Sequence, residues 1–196
     1  MLELQHFFIR EQVAFLKTTD VYDILNADTQ QPVGVAKEEP GALVAALRWV
    51  LSKKLMPTTV VVRELPGDNV VFTIKKPVAL FRHRVDVLDA DGKRLGYFKS
   101  KLFSLGGGFY VYDDKDQLFA EIKGKWHGFE FKFVDAQGGE LGAVTKKWGG
   151  LAKELFTTAD NYVVTISDDL ADQKVAKILL LAAALAIDIV YYEQQG

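Results

Sequence analysis

The stretch KILLLAAALAIDIVYYE, Lys177 to Glu193, decides how the rest of the chain is read. From Ile178 to Ile187 it is helical in composition and apolar on every side, and a helix of that kind has to be enclosed by protein or by lipid. A bilayer span needs roughly 20 mostly apolar residues. Here the uninterrupted run is ten residues, with Lys177 before it and Asp188 after it. The pattern therefore predicts a buried helix over about 170–193 and no transmembrane span. Asp188, near the helix end, is expected at the mouth of whatever surrounds the helix, because a buried carboxylate has to find donors.

What surrounds it is written in hairpins. YDILNADTQQPVGVAKE from Tyr22, VDVLDADGKRLGYFKSK from Val85, FYVYDDKDQLFAEIKGK from Phe109 and FKFVDAQGGELGAVTKKW from Phe131 share one form: alternating apolar residues, an Asp/Asn/Gly turn, and a second alternating strand. With VVVREL ending at Leu65, VVFTIKK (Val70 to Lys76) and YVVTI (Tyr162 to Ile166), the count reaches ten to twelve strands in a meander. A sheet that wide tends to close on itself. The expected class is mostly β (α+β): a closed barrel of about twelve strands around the C-terminal helix, in one domain over residues 1–196. One further amphipathic helix is expected over about 40–55 (PGALVAALRWVLSKKL). Pro40 stands at its start, Lys53 and Lys54 in its last turn and Pro57 just beyond. Its apolar face of Leu43, Leu47, Val50 and Leu51 is expected to pack on the barrel or cover its mouth.

Composition is that of an ordinary folded protein, with 49% hydrophobic and 26% charged residues and a net charge of −2. The small net charge hides an uneven distribution. Residues 75–153 carry 15 Lys/Arg against 10 Asp/Glu, whereas residues 154–196 carry 2 against 7. A basic middle suits an anionic partner for one face, or a solvated row guarding strands. There is no cysteine, which removes disulfides, thiolate metal sites and a cysteine nucleophile together. The start, MLELQHFFIREQ, has Glu3 where a secretory signal carries positive charge, so the chain reads as cytoplasmic.

Catalytic patterns are missing. His6, His83 and His127 lie far apart with no i, i+4 pair. Gly106 to Gly108 precede a strand rather than a helix, and no Gly-Lys-Ser/Thr follows. DADGK at Asp89 opens like a calcium loop but lacks the Glu that closes one. The aspartates recur at turn positions, where they bond locally. No enzyme activity is expected, and no nucleic-acid partner.

The segment TKKWGGLAKELFTTADNYVVTI (Thr145 to Ile166), followed by an Asp-rich turn and the apolar helix with Ile187-Asp188, resembles the phospholipid scramblase family, which belongs with the tubby C-terminal domain and the plant LURP-one-related proteins. The resemblance covers most of the chain from about Tyr22, with 40–55 as an insertion. It implies a closed twelve-stranded tubby-like barrel threaded by a central hydrophobic helix, the architecture read above from periodicity.

Two site expectations come with it. Phosphoinositide-binding tubby domains carry a Lys-x-Arg pair on a strand, then a glycine-containing loop, then Phe-x-Val-Tyr-Asp. The matching stretch is KSKLFSLGGGFYVYD, which implies a basic pair at Lys99 and Lys101. Residues i and i+2 of a strand face the same way and can present two cations to one phosphate cluster. Arg82 and Arg84 form another such pair. The scramblase likeness implies a calcium site with Asp160, Asn161 and Asp169 as oxygen ligands; Thr158 and Ser167 stand where the family has carboxylates, which leaves the set short of the six to eight oxygens calcium takes. A competing role for Asp169 is N-cap of the last helix, with Asp172 in its first turn. The expected function is a non-enzymatic barrel that binds anionic phospholipid or phosphoinositide peripherally, without a cofactor unless calcium. The alternatives are a scramblase-like membrane protein and a soluble scaffold with a protein partner.

Overall fold

Four carboxylate or amide side chains set the architecture. Asp89, Asp113 and Asp135 each stand at or just past the end of a strand, and each turns its Oδ1 onto two following amides: those of Asp91 and Lys93 at 3.0 and 2.8 Å, of Lys115 and Gln117 at 2.9 and 2.8 Å, and of Gln137 and Gly139 at 2.9 and 2.7 Å. Asn26 does the same for Asp28 and Thr29. These side chains replace the backbone partners that a tight turn leaves unmade. The third residue after each Asp is left-handed: Gly92, Asp116 and Gly138.

In the computed structural model, residues 1–12, 19–41, 44, 56–77, 84–100, 108–125, 129–146 and 161–191 are described. The strands are β1 (His6–Glu11), β2 (Val21–Asn26), β3 (Pro32–Glu38), β4 (Thr58–Glu64), β5 (Asn69–Lys76), β6 (Arg84–Leu88), β7 (Arg94–Ser100), β8 (Gly108–Asp113), β9 (Leu118–Lys125), β10 (Glu130–Val134), β11 (Glu140–Thr145) and β12 (Asn161–Ile166). Each pairs antiparallel with its neighbour in sequence, and β12 pairs with β1, Phe8 opposite Val163, to close a twelve-stranded barrel. Among the described residues, the five tight hairpins, β2/β3 through β10/β11, each carry one extra residue on the strand leaving the turn: Val33, Val71, Leu95, Phe119 and Leu141. A bulge adds twist and bend, which a sheet needs in order to close.

The helix Lys174–Tyr191 runs inside. Every residue from Ala176 to Ile187 is buried, among inward-facing Phe7, Ile9, Phe72, Phe98, Phe131 and Phe133. At Gly96 the wall comes close to the helix: a Cβ there would stand 2.8 Å from Leu179 Cδ2 and closer still to the Tyr112 carbonyl. The helix starts later than expected. Ser167 accepts a hydrogen bond from the Asp169 amide and caps a short 3-10 turn, Asp168–Leu170, so Asp169 and Asp172 precede the helix and its first turn holds no acid. Of the amphipathic helix expected over 40–55, all but residues 40, 41 and 44 lie outside the described residues, as does the side chain of Asp188.

Alternation and pairing place the tight turns, residues 1–5 and the helix start at one end of the barrel. The opposite end, where β6 begins and β7 finishes, is called the far end below.

Candidate functional site

The outer face of β6, β7 and β8 carries the expected cations. On β7, Gly96 and Phe98 face the core, so Tyr97 and Lys99 face out. Pairing puts Arg84 of β6 opposite Lys99, and Lys99 opposite Tyr110 of β8; the next row is Asp86, Tyr97 and Tyr112. Two same-face rows across three strands thus bring Arg84 and Lys99 together, although they are 15 residues apart in sequence.

The tyrosines organise the cluster. Tyr97 and Tyr112 stack with centroids 4.9 Å apart and planes 12° from parallel, and Tyr110 meets Tyr112 edge-on at 6.5 Å. The Arg84 guanidinium lies 4.1 Å from the Tyr97 centroid, while both its Nε and Nη2 donate to Asp86 Oδ1 at 3.0 and 2.8 Å. The Lys99 ammonium sits 5.1 Å from the Tyr97 ring and 5.2 Å from the Tyr112 ring. Arg94 comes within 5.4 Å of Tyr97 and donates to Asp116 Oδ1 and the Asp114 carbonyl. Covered this way, Tyr97 points outward yet is 3% exposed. Its phenol is held protonated to higher pH than usual, by burial first and then by the charge of Asp116 and a hydrogen bond to it.

Lys99 differs from its neighbours in its company. Among the described residues it has no acidic partner, and its ammonium rests on aromatic faces that strengthen as attraction when water leaves. Lys123 and Lys132, which face each other across β9 and β10, are each paired to an acid, Glu121 at 3.4 Å and Glu140 at 2.6 Å. A cation on a ring, with its hydrogen bonds unspent, can accept an anionic oxygen. Lys101 and Arg82 lie outside the described residues. Tyr97, Tyr112 and Arg94 were not among the sequence candidates; the signal for the first two is the period-2 spacing of Tyr97 with Lys99 and of Tyr110 with Tyr112.

Of the implied calcium set, Asn161 and Asp169 are among the described residues, and the fold sets them apart. Asn161 opens β12 and is buried, whereas Asp169 lies past the other end of that strand. A six-residue strand separates their backbones by roughly 17 Å, and one ion gathers oxygens at about 2.3–2.6 Å. Asp169 instead accepts from the Ser167 hydroxyl at 3.4 Å and, through its carbonyl, from Gln173 Nε2 at 3.3 Å. Asp160 lies outside the described residues.

Barrel and buried helix define a class of closed antiparallel barrels built around a hydrophobic C-terminal helix. The sequence model of the scramblase family matches residues 11–194, and the chain belongs to that family. It is 37% identical over 68 residues to phospholipid scramblase 1 of Mus musculus, a stretch that is 35% of this chain and 20% of that protein. The Homo sapiens and Rattus norvegicus forms of phospholipid scramblase 1 match over 68 residues at the same identity, 20% and 19% of their lengths. The chain thus spans about a fifth of the length of the curated relatives it matches. No solved structure matches it.

Proposed function

We propose that this domain docks peripherally on anionic membrane phospholipid, with a phosphoinositide headgroup received at Lys99 and Arg84 and, from the sequence pattern, at Lys101 and Arg82. The observation that carries the reading is the seat of Lys99: an ammonium on two stacked tyrosines, opposite a guanidinium already oriented by Asp86. Membership of the scramblase family supports a phospholipid rather than a protein ligand. No described helix is long and apolar enough to cross a membrane, so attachment is assigned to the outer surface of the barrel, at the cytoplasmic leaflet where anionic lipid concentrates. No covalent step is involved; the tyrosines hold the cations in place and the cations meet the phosphate.

Each basic residue near an anionic surface contributes about 1 kcal/mol. Lys99→Glu removes one favourable charge and adds one unfavourable, so affinity for anionic vesicles should fall about thirtyfold. Co-sedimentation with vesicles that do or do not contain phosphoinositide, at low and physiological salt, reads this directly. Salt-sensitive binding lost in Lys99→Glu supports the proposal. Binding that ignores the charge reversal refutes the site, and no binding to any vesicle refutes lipid docking and leaves a protein partner.

A further inference from the structure

The topology sorts charge by end, to a degree the near-neutral total conceals. At the turn end, counted from the last residue of one element to the first of the next, lie 1–6, 26–32, 64–69, 88–94, 113–118, 134–140 and 166–174. These carry 14 Asp/Glu and 4 Lys/Arg. The rest of the sequence carries 20 Lys/Arg and 12 Asp/Glu. In Lys/Arg against Asp/Glu, the turn end therefore sums to −10 and the rest of the sequence to +8.

Part of the cause is chemical necessity: Asp89, Asp113 and Asp135 close turns and cannot be traded for lysine without losing those turns. Asp91 and Asp114 are not among these turn-closing side chains, and they deepen the same rim. The cationic cluster lies away from it. Arg84 is the first residue of β6 and Lys99 the last but one of β7, both at the far end. The threading helix, at 18 residues, is about 27 Å long, against a screening length of about 8 Å at physiological salt. An anionic surface therefore interacts with the end that faces it, and hardly with the other.

We propose that the barrel docks in one orientation, with its far end toward the anionic bilayer and its acidic turn rim toward water. This rests on the membrane-docking reading above and adds the pose. It assigns the rim a task that none of its residues shows individually, excluding the inverted encounter by like-charge repulsion. A pose set this way leaves the N-terminal residues and the helix start on the water side.

The chain has no cysteine, so single labels are clean. An environment-sensitive fluorophore is attached at Glu130→Cys, exposed at the far end, and separately at Ala90→Cys and Ala136→Cys, exposed on the rim. The full chain is bound to phosphatidylcholine vesicles containing phosphatidylserine, with nitroxide-labelled lipid as quencher. The far-end label should be quenched and both rim labels should keep their aqueous emission. Rim labels quenched as strongly as the far-end label, with binding retained, overturn the orientation while leaving the docking reading intact. Wild-type chain that does not bind overturns the docking reading and the pose with it. The variant Asp91→Lys/Asp114→Lys, checked for native circular dichroism, should bind more tightly and bring the rim labels into quenching range. Unchanged rim emission at tighter binding would show that repulsion does not set the pose.

Discussion

Lys177 is where the structure makes a counter-intuitive forecast. It sits in the helix among inward-facing apolar side chains, 1% exposed, and among the described residues its ammonium has one partner, the Leu2 carbonyl at 2.8 Å. An ammonium has three donors to satisfy, and this one is close to the positive end of a helix whose first turn holds no acid. Burying such a charge costs several kcal/mol, and one charge-assisted hydrogen bond returns about 1.5–3 kcal/mol. Lys177→Met keeps an unbranched chain of similar length, removes the charge, and gives up the bond to Leu2. The balance is a gain of about 1–2 kcal/mol, or about 2–8 °C in Tm for a domain of this size. Urea unfolding of both proteins is the assay, and the midpoint should rise at constant slope. A loss of 1 kcal/mol or more would refute the reasoning, because the ammonium would then be better solvated in the lumen than its single bond implies.

Gly96→Ala should act in the opposite direction. The new methyl meets the Tyr112 carbonyl, which the β7/β8 ladder holds in place, and Leu179 on the helix; overpacking of this kind costs about 1–3 kcal/mol, read as a lower urea midpoint, and a shift under 0.5 kcal/mol would mean the ladder yields. Tyr97 supplies a pH dependence. Its raised phenol pKa means the folded state keeps the proton that the unfolded state releases above pH about 10. That contribution to stability is complete below pH about 10 and is lost as pH rises through the folded value. Unfolding midpoints of wild type should thus fall more steeply than those of Tyr97→Phe in alkaline buffers, and parallel profiles would contradict the assignment.

The hairpins were legible because their chemistry is local: Asn26, Asp89, Asp113 and Asp135 sit where an alternating run stops, and each makes the turn it announces. β1 carries no such signal. In HFFIRE, Phe7 and Ile9 face the core, while Phe8 is buried on the outer side with Leu25 and Val163, so both faces are apolar and alternation disappears. The helix start was read too early because hydrophobicity cannot register a serine that caps a 3-10 turn first. For the site, the i, i+2 spacing of Lys99 located the strand face, but its partnership with Arg84 depends on the β6/β7 register, which the extra residue Leu95 of β7, opposite Val87/Leu88, sets. Distance along the chain misleads in the same way for two of the implied calcium ligands. Asn161 and Asp169 are neighbours in sequence, and an extended strand between them makes them strangers in space.

The buried helix also bears on the docking proposed above. Ile178, Leu179, Leu180, Leu181, Leu185 and Ile187 are each 7% exposed or less. At about 2 kcal/mol per large apolar side chain, exposing these six would cost on the order of 12 kcal/mol, comparable with the whole stability of a domain. A bilayer could recover that sum for the helix, but not for the wall it leaves. Phe7, Ile9, Phe72, Phe98, Phe131 and Phe133 would then line a lumen with nothing to pack against. Closure fixes the diameter, since β1 and β12 are hydrogen-bonded along their length, so the wall cannot collapse to refill the space. Helix extraction therefore unfolds the barrel rather than opening it, whereas the proposed docking through an intact outer surface keeps the fold.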